Sequence, residues 1–211
     1  MEREAAMNSL SQMFKNNYIG VDELSKVAGI MNLKIPSIVP PIPASLEKII
    51  QTINPDDYIL ILSVPEFKNL EKLNLLGLRN KFGINPDISE PCFYNQDWYL
   101  NEDFISTTLP LKWNLLSKRI VNESRGINPL ELPDKVRFPS AVLCAFTFFV
   151  IWFLREKVLW ENDYVWCSDT DHNGDRIYVG SYFSINNRNG FEIHRHLSIK
   201  KTYGVLDNYE L

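Results

Sequence analysis

The sequence predicts an α+β protein: N-terminal helices, a proline-rich connection, and a mixed α/β body ending in an antiparallel β-meander packed on an apolar helix. Three observations carry this. Residues 138–154 run for 17 positions without a charge behind Pro139 and Ser140, the pattern of a buried helix with its start signal. After it come three segments rich in β-branched and aromatic residues, Tyr164–Ser168, Asp175–Phe183 and a run from Phe191, the first two separated by Asn173-Gly174. Near the start, Pro36, Pro40, Pro41 and Pro43 forbid a helix and impose an extended connection.

In order along the chain, residues 1–35 form a helical arm. Leu10, Met13 and Phe14 share one face, Leu24, Val27 and Met31 another, and Asn16, Asn17 and Gly20 break the run. Residues 36–43 are the linker and 44–211 the body, with a single domain over 1–211 as the alternative. Ser45 is the cap expected for a short helix reaching Ile53, stopped by Asn54-Pro55. The continuous apolar run Tyr58–Val64 has the length and composition of a buried strand. Leu70, Leu73, Leu76 and Leu78 mark an amphipathic helix closed by Gly83. Residues 84–108 read as an irregular aromatic and acidic loop. In 109–116 the alternation of Leu109, Leu111, Trp113 and Leu115 predicts a half-buried strand.

Composition narrows the function classes. With 26 acidic against 22 basic side chains, the chain lacks the basic excess that displaces counterions from nucleic acid. The 17-residue apolar run falls short of the roughly 20 residues of a spanning helix and is flanked by basic residues on both sides, which argues against a membrane segment. Cys92, Cys144 and Cys167 have no CxxC spacing, so free thiols in a reducing compartment, the cytoplasm, are expected. The opening Met-Glu-Arg-Glu shows no secretory signal.

The hairpin holds the densest chemistry. Asp169, Asp171, Asn173 and Asp175 stand at alternate positions around Gly174, like the oxygen-rich start of a calcium loop. The twelfth position is Gly180, not a bidentate glutamate, so an EF-hand is excluded; a looser cation loop and a plain polar turn bonded to its own amides both stay open. Asp-Thr-Asp after a strand also fits, weakly, the metal-binding motif of nucleotide-sugar transferases. His194 and His196, two apart on one strand, would face one side and could complete a metal set with a hairpin carboxylate. Trp98, Tyr99, Arg176 and Arg195 are the candidate ligand-binding residues. Arg188, Arg195, Lys200 and Lys201 form a mildly basic patch.

The string WCSDTDHNGDRIYVG, preceded by FPSAVLCAFTFFVIWFLREKVLW, resembles a pattern in uncharacterised bacterial proteins: a proline-led apolar helix followed by a Ser-Asp-x-Asp-x-x-Gly-Asp-Arg hairpin ending in Val-Gly. The resemblance covers about 70 residues, counting the strand around Trp113. It implies a shared structural module and brings no activity, cofactor or partner with it. The expected function is therefore a non-catalytic binding or interaction protein with a protein or small-molecule ligand. The alternative is a divalent-metal-dependent enzyme acting on a phosphate-bearing substrate through the hairpin. No cofactor is firmly implied; a divalent cation is the one the hairpin would accept.

Overall fold

A computed structural model describes residues 2–181, 190–195 and 198–211. The protein is α+β, with two four-stranded mixed sheets joined by one hydrophobic core. Its helices are α1 (Glu2–Phe14), α2 (Val21–Val27), α3 (Ala44–Ile49), α4 (Leu75–Phe82) and α5 (Ala141–Arg155). Its strands are β1 (Tyr18–Ile19), β2 (Tyr58–Ser63), β3 (Lys112–Ser117), β4 (Asp163–Thr170), β5 (Arg176–Ser181), β6 (Glu192–His194), β7 (Tyr203–Gly204) and β8 (Asn208–Glu210).

The first sheet has the order β1-β2-β3-β8, parallel only between β1 and β2. In the second, β6-β5-β4-β7, the meander β4-β5-β6 is antiparallel and β7 joins β4 in parallel. The run at 58–64 is fully buried along β2, as its unbroken hydrophobicity requires.

Helix α5 explains why an all-apolar helix folds here. It lies between the layers, touching β2 of the first sheet, β4 and β5 of the second, and α2 and α4. Every residue from Ala141 to Ile151 is buried. The meander is thus one of several surfaces around it. Ser140 caps it, its Oγ accepting from Leu143 N at 3.3 Å. No helix among the described residues is long and apolar enough to cross a membrane.

Several sequence expectations shift. Helix α4 starts at Leu75 and is capped by Asn74, whose side chain accepts from Gly77 N at 2.8 Å, so Leu70 and Leu73 precede it. Leu70 has φ +68 and is exposed, because residues 65–73 fold into a turn in which Leu73 N reaches Pro65 O. Gly83, at φ +66, closes the helix as expected. Helix α3 begins after Pro43 and places Ser45 inside its first turn. Strand β3 is buried from Trp113 to Ser117, on both faces, so its alternation reflected no solvent side. Its buried Asn114 is satisfied by Ser63 Oγ at 3.0 Å and Lys112 O at 3.1 Å.

The stretch from Leu10 to Leu33 shares the core with the body. Leu10, Phe14, Tyr18, Ile19, Leu24, Val27, Met31 and Leu33 belong to the same buried cluster as β2 and α5, and β1 pairs with β2. The proline segment is held too, with Trp113 Nε1 donating to Pro40 O at 3.2 Å.

Candidate functional site

The hairpin's polar residues are drawn to different partners. Gly174, at φ +82, allows the turn that carries Gly174 N to Asp171 O. Buried Asp171 turns one oxygen inward along its own loop, accepting from Asn173 N at 2.9 Å and Asp175 N at 3.0 Å. Its other oxygen accepts from Arg195 Nη1 at 3.0 Å. The same nitrogen stands 3.0 Å from Glu102 Oε1, which His172 Nδ1 approaches at 2.7 Å, while Glu102 Oε2 accepts from His172 N at 2.8 Å. The Arg195 guanidinium lies 4.5 Å over the Trp98 ring, and Trp98 Nε1 donates to Ile193 O. The result is a latch between the turn, β6 and the 98–106 segment, centred on buried Glu102.

Glu102 was only one acid among several in the aromatic loop. Its partners lie 70 and 93 positions away, so no local spacing marks it. Of the expected ligand set, Trp98 and Arg195 meet here. Tyr99 touches Trp98 edge-on at 5.6 Å but is buried beneath Arg79. Arg176 lies apart, donating to Cys167 O at 2.7 Å and covering Phe138 at 4.0 Å.

His194 is engaged at both nitrogens. Gln96 Oε1 accepts from Ile193 N, which turns the Gln96 amide nitrogen toward His194 Nδ1 at 3.2 Å. Nδ1 is then the acceptor, and Nε2–H donates to Glu192 Oε2 at 3.0 Å. The Tyr164 hydroxyl donates to the same carboxylate oxygen. Burial, and then Glu192, push the Tyr164 phenol well above its ordinary pKa. His196 and Arg188 lie outside the described residues. Among those described, no group of three or more His, Cys, Asp or Glu side chains is placed to hold a metal ion.

Asp169 serves α5. Its Oδ2 accepts from Ala141 N at 2.7 Å, at the helix's first residue. Burial raises its pKa above the ordinary carboxylate value, with the Ala141 amide and Arg176 offsetting part of the rise. A folded-state pKa above the unfolded one means stability is greatest below the unfolded value and falls as pH rises through the folded one. Asp169→Asn keeps an acceptor for Ala141 N and removes the desolvated charge. It is expected to hold or raise the melting temperature at pH 7 and to flatten the decline above about pH 4. Asp169→Ala should cost about 1 kcal/mol. Equal losses for both variants at pH 7 would refute this account.

A cleft lies elsewhere, between residues 121–137 and 205–209, with a volume of about 760 Å³. It forms because one loop follows the second sheet's edge and then leaves it. Val121 N bonds Val205 O and Gly126 N bonds Tyr203 O, both at 2.9 Å, and Ser124 Oγ accepts from Val205 N. That approach needs Gly204, where a Cβ would come within 2.7 Å of Ser124 Oγ. After Ile127 the chain turns away through a 3-10 turn at Pro129–Glu131, started by Asn128. Val121, Ile127, Leu132, Val136, Val205 and Leu206 give the cleft an apolar lining, and Glu123, Glu131, Lys135, Arg137 and Asp207 edge it. No histidine or cysteine lines it, and the Ser124 hydroxyl is committed to Val121 O. Hydrophobic periodicity could not reveal the cleft, since most of its lining is irregular backbone. No protein-family model matches the chain, and comparisons with curated proteins and with solved structures return no significant match.

Proposed function

We propose that the chain is a non-catalytic binding protein whose ligand presents an apolar group to the cleft between residues 121–137 and 205–209. The cleft itself carries this reading: its volume falls in the roughly 300–1,000 Å³ range of ligand sites, and its lining is mainly apolar with a charged rim. The engagement of both Asp171 oxygens supports it from the other side. A metal-dependent enzyme acting on a phosphate-bearing substrate would need free carboxylate oxygens, and those of Asp171 and Glu102 already face amides, Arg195 and His172. Cys144 and Cys167, buried as free thiols, fit a reducing compartment such as the cytoplasm.

The test is titration with anilinonaphthalene sulfonate. Native protein is expected to bind it, and Val136→Glu to weaken binding at least about tenfold, or 1.4 kcal/mol, with the melting temperature little changed. Equal binding by both proteins would refute the cleft. In parallel, calcium, manganese and EDTA should leave the melting temperature unmoved. A rise of several degrees with either ion, abolished in Asp171→Asn, would replace this proposal with the metal-enzyme reading.

A further inference from the structure

We infer that residues 128–137 are a strap that lifts away from the cleft and closes over a bound apolar group. This rests on the binding role proposed above and adds how that site opens and shuts.

Both ends of the strap are tied down. Upstream, Gly126 N bonds Tyr203 O at 2.9 Å, and two guanidinium nitrogens of Arg125 grip Asp163 at 2.7 and 2.8 Å. Downstream, Pro139 O accepts from Ser168 N at 2.9 Å, and Arg176 covers the Phe138 ring. Between these anchors the bonding turns inward. Glu131 N bonds Asn128 O, Leu130 N bonds the Asn128 side chain, and Val136 N bonds Pro133 O. Arg137 Nη1 donates to Asp134 O and Val136 O. Each of these bonds begins and ends inside the strap. Among the described residues, no hydrogen bond or ion pair joins 128–137 to the rest of the chain.

Apolar contact holds the strap instead. Leu132 and Val136, both half-buried, pack on the cluster of Trp166, Tyr178, Tyr203 and Val205. Leu130, 87% exposed, adds little to that hold. A segment with few buried apolar contacts and no crossing hydrogen bonds sits at the low end of local stability, where opening costs far less than global unfolding. The strap is also part of the site. Leu132, Pro133 and Val136 supply part of the apolar lining, and Val121, Val205 and Leu206 on the anchored body supply most of the rest. An apolar ligand meets its full lining only while the strap is closed, and that difference in affinity draws the equilibrium toward closure.

The test is trypsin digestion of the full chain under native conditions, with initial rates at each site read by mass spectrometry. Lys135 and Arg137 are exposed cut sites within the strap, and Lys112 in β3 reports unfolding of the core. Cleavage after Lys135 or Arg137 is expected at least about tenfold faster than after Lys112, because it needs only the local opening. Anilinonaphthalene sulfonate at ten times its dissociation constant should slow the strap cut about tenfold, the mass-action factor for a ligand of the closed state. The dye should leave cleavage after Lys157, beyond the end of α5, unchanged. Leu132→Ala removes one of the two apolar holds and should speed the strap cut alone; should that variant fail to fold, the native rates decide. Strap sites cut no faster than Lys112 would overturn the opening. Dye that binds without slowing the strap cut would overturn the closure and leave the cleft as an open apolar site. If no dye binds, the binding role falls and the closure with it.

Discussion

Deleting residues 1–34 is expected to abolish cooperative folding. The deletion removes Leu10, Phe14, Tyr18, Ile19, Leu24, Val27, Met31 and Leu33 from the core that contains β2 and α5. It also strips β1 from the edge of β2. Burying one such side chain stabilises by roughly 1.5–3 kcal/mol, so losing these eight exceeds 10 kcal/mol. Net stability of a domain is about 5–15 kcal/mol, and the exposed face of α5 would add an aggregation hazard. The check is soluble expression followed by a thermal melt monitored by circular dichroism. A truncated chain that melts cooperatively would restore the separable arm and its linker at 36–43.

Replacing Arg195 with methionine is expected to cost about 3 kcal/mol or more, at the low end for breaking a buried ion pair from one side. Two buried carboxylates, Asp171 and Glu102, share this guanidinium, and Trp98 loses the cation over its ring. The turn amides continue to hold one oxygen of Asp171, and His172 continues to hold Glu102, so the hairpin should loosen before it unfolds. Urea titration gives the magnitude. Adding Asp171→Asn and Glu102→Gln to the Arg195→Met protein should recover part of the loss, because it removes the stranded charges. A single-variant cost under about 1 kcal/mol would show the latch to be a surface ion pair of ordinary, small value.

Elements whose stabilising contacts are local, or whose burial is uniform, were legible in the sequence. Strand β2 declared itself because a strand covered on both faces needs no polar position. Helix α5 declared its start through Pro139 and Ser140, and the hairpin its turn through Asn173-Gly174. Gly83 marked the end of α4 because few other residues adopt its φ of +66 without strain. The composition likewise set the broad class, with enough apolar surface for a large core.

Tertiary structure decided what depends on partners far apart in the chain. Strands β1, β7 and β8 are two or three residues long, too short to show any period, and exist only because β2, β4 and β3 offer ladders to join. Alternation in β3 was misleading, since packing covers the face that a half-buried strand would leave to solvent. Asp169 and Asp171 look equivalent in sequence, but one caps a helix begun 28 residues earlier and the other neutralises an arginine 24 residues later. Glu102 became the centre of the latch by meeting His172 and Arg195 across the fold. The cleft arose where the loop bonded to Tyr203 and Val205 turns away after Ile127. Each of these outcomes follows from long-range pairing, and charge, spacing and hydrophobic period along a chain carry no record of which distant residue will arrive.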